Sequence, residues 1–310
     1  MRAYCLTIHA AYQCAHSGAC CTAGWPIPID PERVSALRAR GMIPDGGDAR
    51  PLVLRRAGSA TSRTMMIGTA AGGACVFYDA DHGRLCAIHR DAGPELMPSA
   101  CRNFPRIALR DGRGLFVTLS HFCPTAARLL LAAGDIGIVE APPGLSLMGE
   151  VEGLDATLVM PPLLRPGMLM DLDGYSAWEH EAIAVLDERT YAARTAVAVI
   201  AAGTEGACTW RPGANTLVAH VAHAFARARA IHQSDGVRHS RVERATKAFL
   251  AAHLFANWAA YQNGGLRAVV TALESALALL GTHGEDGESF VAAVRAADLR
   301  LRHSGPRLCE

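Results

Sequence analysis

Apolar positions in the second half of the chain recur at helical spacing. Between Leu266 and Leu280, the residues Val269, Leu273, Ala276, Leu277 and Leu280 fall on one side of a helix. The same period predicts alanine-rich helices over 176–201, 214–233, 241–262 and 289–301, with Gly203, the Gly264-Gly265 pair and Gly281 as punctuation. The first half reads differently: short apolar runs are interrupted by Gly, Pro and Ser. Ala3 to Ile8 is a short strand candidate. Asp30-Pro31-Glu32 opens a helix with Val34 and Leu37 on its apolar side, and Gly41 ends it. The stretch from Pro44 to Thr69 reads as loops with up to two strands. Cys75-Val-Phe-Tyr and Leu85-Cys-Ala-Ile flank the turn formers of Asp79 to Gly83, the pattern of a hairpin. Cys123-Pro124 opens a helix through Ala126, Leu129 and Leu130 towards Gly134.

These elements predict a mostly α fold. An irregular, cysteine-rich N-terminal region with short β strands precedes an α-helical bundle. The proline- and glycine-rich segments from Pro142 to Leu147 and from Pro161 to Gly167 bracket the expected boundary. They divide a cysteine-cluster metal-binding domain (1–150) from an α-helical C-terminal domain (151–310).

Composition narrows the function classes. Half the residues are hydrophobic and the formal net charge is +1, so no polyanion-binding surface is expected and nucleic acid is excluded as a partner. The longest apolar stretches, Ala196 to Ala202 and Ala276 to Leu280, are too short to span a bilayer. With no signal segment at the N-terminus, a cytoplasmic location with no membrane partner is the expectation. Lys247 is the one lysine, a skew with no functional weight at this level. The chain carries no Gly-x-Ser-x-Gly, Gly-x4-Gly-Lys or His-Glu-x-x-His motif and no Rossmann-type glycine spacing. His220 and His223 lie three apart on one helix, without the carboxylate that would make them a metal motif. Glu179 and Glu181 read as solvated charges.

Ten cysteines change the picture. Seven of them, Cys14, Cys20, Cys21, Cys75, Cys86, Cys101 and Cys123, stand beside turn formers or at a predicted helix start. In a reducing compartment, thiolates drawn from separate loops point to a zinc, iron or iron–sulfur centre rather than to disulfides. The adjacent Cys20-Cys21 pair argues against simple core filling, because neighbouring side chains on an extended segment face opposite ways. Cys5, Cys208 and Cys309 lie outside this group. His16, His82, His89 and His121 are alternative ligands. Arg84, Arg90, Arg102, Arg106, Arg110 and Arg113 crowd the same region. Arg102 and Arg106 flank Phe104-Pro105 and are the candidates to hydrogen-bond a negatively charged cluster.

Several segments together resemble the flagellin lysine-N-methylase family, within the wider group of cysteine-cluster proteins. They are Cys14…Cys20-Cys21…Trp25-Pro-Ile-Pro-Ile-Asp30, Cys75-Val-Phe-Tyr-Asp, Leu85-Cys-Ala-Ile, Gly93-Pro-Glu-Leu-Met-Pro-Ser-Ala-Cys-Arg-Asn-Phe-Pro-Arg106 and Leu119-Ser-His-Phe-Cys-Pro124. The likeness covers about the first 135 residues and extends more weakly to Phe249–Tyr261. It implies S-adenosylmethionine-dependent methylation of protein lysines, an iron–sulfur (4Fe-4S) or other iron centre with zinc as the alternative, and a flagellin-type protein substrate. The family tends to carry one more cysteine between the positions of Cys14 and Cys20. Here that interval is Ala-His-Ser-Gly-Ala, so His16 is a substitute ligand. No catalytic base is identified, although Trp258 and Tyr261 are candidates to line a pocket. The competing classes are a non-catalytic zinc- or iron-binding module that docks a partner, and a metal-dependent enzyme of another reaction class.

Overall fold

The computed structural model describes residues 1–43, 52–53, 65–70, 72–81, 83, 85–145, 153–158, 161–213, 215–232, 234, 240–262, 264–281 and 286–303. In chain order, its first elements are strand β1 (Ala3–Leu6), strand β2 (Pro28–Ile29), helix α1 (Pro31–Ala39), and strands β3 (Leu52–Val53), β4 (Met65–Ile67), β5 (Tyr78–Asp79) and β6 (Leu85–Cys86). Next come helices α2 (Ala87–Ala92) and α3 (Ser99–Asn103), strands β7 (Arg106–Asp111) and β8 (Gly114–Leu119), and helix α4 (Pro124–Leu131). Strands β9 (Ile138–Glu140), β10 (Gly153–Asp155), β11 (Leu163–Arg165) and β12 (Met168–Leu169) follow. The chain then runs through helices α5 (Leu172–Asp187), α6 (Ala193–Cys208), α7 (Leu217–Ile231), α8 (Arg241–Leu254), α9 (Leu266–Leu280) and α10 (Gly287–Asp298). Helix predominates, as the periodicity predicts.

Contacts divide the chain into two compact units. One comprises Met1–Tyr12, Pro105–Ser146 and Gly153–Glu310; the other comprises Gln13–Phe104 and Leu147–Glu152. The first is here termed the helical unit and the second the cysteine unit.

The helical unit contains a five-stranded sheet in the order β10-β7-β8-β1-β9. Strand β1 pairs parallel with β8, Ala3 against Leu115, and antiparallel with β9, Tyr4 against Glu140. Helices α4 to α10 supply a continuous apolar core that includes Trp178, Phe225, Phe249, Phe255 and Phe290, all essentially fully buried. Helix α9 runs from Leu266 to Leu280, with Val269, Leu273, Ala276 and Leu280 buried.

Two predicted long helices are broken. The 176–201 segment is two helices, α5 and α6, separated at Glu188–Ala192. Buried Lys247 spans this break: its Nζ donates to the carbonyls of Glu188 (2.5 Å) and Tyr191 (2.9 Å). The lysine thereby binds the C-cap carbonyl of α5 and one carbonyl of the link that follows it. Burial draws its ammonium down to about 8. Similarly, α8 ends at Leu254. Ala256 adopts φ 55, and Asn257 caps a following 3-10 turn by accepting from Ala259 N.

Glu179 is also a correction. It is fully buried, not solvated, and its Oε2 accepts from Arg113 at 3.0 Å. Arg113 binds Asp111 as well, and lies over the rings of Phe116 and Tyr175 at 4.2 and 4.5 Å. Tyr261 donates to Asp111 at 2.6 Å. These groups are charged and buried but mutually satisfied, the condition under which burial is tolerated.

The cysteine unit has far less core. Its buried apolar cluster among the described residues is Ile27, Ile29, Val34, Leu37, Ile43, Ile67, Phe77 and Ile88. Its sheets are small: β2-β4-β3 and β5-β6. Asp30 caps α1 as predicted, accepting from Arg33 N at 2.9 Å, and Gly41 follows the helix at φ 69.

The role of Lys247 is testable. Lys247→Met leaves the buried Tyr191 carbonyl unpaired, at a cost of about 1–3 kcal/mol, and removes the bond to the part-buried Glu188 carbonyl. A clear fall in the urea midpoint is expected. An unchanged midpoint contradicts the assignment.

Candidate metal centre

The loop before the first cysteine pair turns at Gly18, whose φ is +72. The amides of Cys21 and Thr22 both donate to the Gly18 carbonyl, at 3.0 and 3.1 Å. A Cβ at Gly18 would lie 2.7 Å from the Tyr78 ring, so both the conformation and the contact require glycine. This turn presents Cys20 and Cys21. Cys75 is tied to them directly: its amide donates to the Cys21 carbonyl at 2.7 Å. Three residues on, Tyr78 in β5 pairs with Cys86 in β6, the predicted hairpin. The Ala87 amide closes it on the Phe77 carbonyl at 2.7 Å.

Four thiols therefore lie in one neighbourhood, although no three of the sulfurs are mutually within 4.8 Å among the described residues. The sulfurs of Cys20 and Cys21 are 3.9 Å apart, and negative charge on Cys20, Cys86 or Cys75 disfavours the Cys21 thiolate. Backbone amides point at the sulfurs: Phe77 N–H at Cys75, Ile88 and His89 N–H at Cys86. The hydrogen bond from Cys21 draws the Cys20 thiol down to about 7. That same bond holds the Cys21 thiol up, and burial pushes Cys75 and Cys86 up. A cavity of about 10 Å³ lies beside Cys20, Cys21 and Cys75, walled by Trp25, Ile67 and Gly73.

The other predicted ligands are placed differently. Cys14 is exposed. Its sulfur accepts from the His16 amide at 3.4 Å and lies 4.0 Å from His16 Nδ1. The His16 ring is 5.8 Å from that of His89, on the helix that Cys86 opens. Cys101 packs against the apolar cluster that also holds Cys75 and Cys86. Cys123 belongs to the helical unit, where it is buried with its sulfur 3.7 Å from the Tyr12 hydroxyl. Six of the seven thus share one unit and the seventh does not.

The arginines are mostly engaged elsewhere. Arg90 binds Asp79 and Asp91, and Arg110 binds Asp155. Arg106, in the helical unit, donates to the Gly144 carbonyl at 2.7 Å and lies over Tyr12. Arg102 follows Cys101 on α3, and its Nε is buried with no hydrogen-bond partner. His220 Nε2 meets the Gly206 carbonyl and Thr209 hydroxyl, a packing role as expected. His82, Arg84 and Cys309 lie outside the described residues.

Sequence reasoning missed a buried polar group in the helical unit: His9, His253 and Asp298 around His121. Nothing local marks these positions, because their partners are far away in the chain.

The thiol geometry predicts a reactivity pattern. In metal-free, reduced protein, alkylation of Cys20 should be half-maximal near pH 7, below the ordinary thiol value of about 8.5. It should slow as the pH falls and the thiolate is protonated. Zinc or iron should protect it. Peptide mapping that finds Cys20 reacting only above pH 8.5, or equally with and without metal, contradicts the arrangement.

Comparison with known proteins agrees with this chemistry. Residues 13–124 match the CxxCxxCC family model, described as "Putative zinc- or iron-chelating domain". That span takes in all seven cysteines of the predicted cluster. In the pattern that gives the family its name, this chain reads Cys14-x2-Ser17-x2-Cys20-Cys21, with serine at the second cysteine position. No curated protein and no solved structure matches the chain. Within the described residues, no helix is long and apolar enough to cross a membrane. The match supports a cysteine-cluster metal-chelating domain in this region and specifies no methyl transfer.

Proposed function

We propose that the cysteine unit is a metal-holding module whose ligands are Cys20, Cys21, Cys75 and Cys86. What supports this reading is that the Cys20 and Cys21 sulfurs lie 3.9 Å apart, the Cys75 amide binds the Cys21 carbonyl, and Cys75 and Cys86 are near enough for their charges to act on the Cys21 thiol. The donor set fits the group. Four soft thiolates suit zinc or iron and do not suit magnesium or calcium, which require oxygen. Two thiolates on one tetrahedral zinc stand about 3.8 Å apart, from a Zn–S bond of about 2.3 Å. The Cys20–Cys21 separation is 3.9 Å. An all-cysteine shell leaves no open position, which is the character of a structural centre. Such a centre would supply folding energy to a unit with a small core. Arg102, with its unpartnered Nε, is the residue available to offset thiolate charge.

The catalytic extension of this reading is lysine N-methylation, supported by the resemblance of the Cys-Arg-Asn-Phe-Pro-Arg and Ser-His-Phe-Cys-Pro segments to flagellin lysine-N-methylases. The lone pair of a neutral lysine amine would attack the sulfonium methyl of S-adenosylmethionine. The methyl–sulfur bond breaks, S-adenosylhomocysteine leaves and the amine gives up a proton. The substrate is a flagellin-type protein.

Two measurements test the two levels. Anaerobic purification with metal analysis and X-ray absorption should give about one sulfur-ligated zinc or iron per chain, and Cys75→Ser or Cys86→Ser should lower that sulfur-ligated occupancy by more than about tenfold. Unchanged occupancy refutes the ligand set. Iron and sulfide in equal amounts would replace the single ion with a cluster. Incubation of the metal-loaded chain with S-adenosylmethionine and flagellin should add multiples of one methyl to the substrate's intact mass. No added mass leaves the metal module and removes the methylase.

A further inference from the structure

The helical unit contains a second group of ligating side chains, separate from the thiols. His121 lies in the turn between β8 and α4, His253 near the end of α8, and Asp298 at the end of α10. All are essentially buried, at 0 %, 7 % and 0 % exposure. One ligand atom from each lies within 4.8 Å of the other two. Asp298 Oδ2 is occupied: it accepts from Ser120 Oγ at 2.6 Å and Phe122 N at 3.1 Å. Asp298 Oδ1 lies 3.2 Å from His253 Nε2, 4.0 Å from His121 Nδ1 and 3.2 Å from Arg302 Nε. Neither of those histidine nitrogens makes a hydrogen bond.

The tautomer of His121 is linked to that of His9 through its other nitrogen. His121 Nε2 meets His9 Nε2 at 3.2 Å, so one of the two must donate. With His121 as donor, its Nδ1 carries a lone pair directed at Asp298 and His253. A metal-ligating histidine has this form, with its second ring nitrogen oriented by a neighbouring group. The chain after Asp298 is a π-helical turn, Leu299–His303. Such wide turns are rare and concentrate at functional sites. This one returns Arg302 to Asp298 at 3.2 Å, while the far end of its guanidinium is anchored to the Ala252 carbonyl at 2.8 Å.

We propose that His121, His253 and Asp298 form a second metal site, one that takes a divalent first-row transition ion. Two imidazoles and one carboxylate suit zinc, ferrous iron or manganese, whereas calcium and magnesium require more oxygen ligands than the site offers. The ion joins the end of the sheet to α8 and α10. The rival arrangement is a metal-free network in which Arg302 is the sole counter-charge of Asp298.

X-ray absorption of the zinc-loaded full chain separates the two. Sulfur ligands at about 2.3 Å belong to the thiol centre, and nitrogen ligands at about 2.0–2.1 Å with imidazole scattering to the second site. The intact chain should show both. His253→Gln and Asp298→Asn should each lower the zinc content by about one per chain and abolish the imidazole signal. His16→Gln with His89→Gln, on the other unit, should leave that signal in place. An all-sulfur shell in the intact chain overturns the proposal without recourse to variants. It is equally overturned if the imidazole signal survives His253→Gln or is lost in the His16 and His89 variant.

Discussion

The proposed role of the cysteine unit rests on one constraint: thiols placed near one another in a unit with little other core. Sulfhydryls can be buried individually as small apolar groups. Here they face one another, so ionising one raises the cost of ionising the next. A cation removes that repulsion and converts it into attraction. The eight residues from Ile27 to Ile88 that form the buried cluster, with strands of two or three residues, are a thin basis for folding alone. Gly18, the Cys75–Cys21 backbone bond and the Tyr78–Cys86 pairing all position sulfur.

The helical unit is held by a different balance. Its large aromatic and aliphatic core provides the driving force, and its buried ions are matched: Arg113 with Asp111 and Glu179, Lys247 with two loop carbonyls. Apolar burial explains why the helices assemble, and the paired ions fix where they end. Removing one partner would leave a charge without solvent or counter-ion, which is expensive in low dielectric.

The fold class was legible because α9 and α1 obey local rules. An apolar stripe, an Asp-Pro start and a glycine stop suffice. The hairpin joining Cys75 to Cys86 was legible from turn formers between β-prone runs. What escaped was set by distant partners. The link between α5 and α6 is bound by a lysine more than fifty residues downstream, and α8 stops just before Ala256 takes a positive φ. Glu179 looked solvated because its partner, Arg113, lies in the distant turn between β7 and β8. Among the predicted ligands, six lie in one compact unit and Cys123 in the other. Spacing could not separate them from Cys123, because a cysteine before a helix-opening proline has the same local signature wherever it lies. His253 and Asp298 carry no local signature at all, since a ligand on a helix is defined by what faces it.

Hydrogen exchange followed by mass spectrometry, with and without a chelator under reducing conditions, tests the central claim most directly. Metal removal should abolish slow exchange in α1 and in the amides of Cys75 and Ala87. Slow exchange should persist through α5, α6 and α9, where the apolar core suffices. Equal protection of residues 65–104 in metal-free and metal-loaded protein would contradict the account.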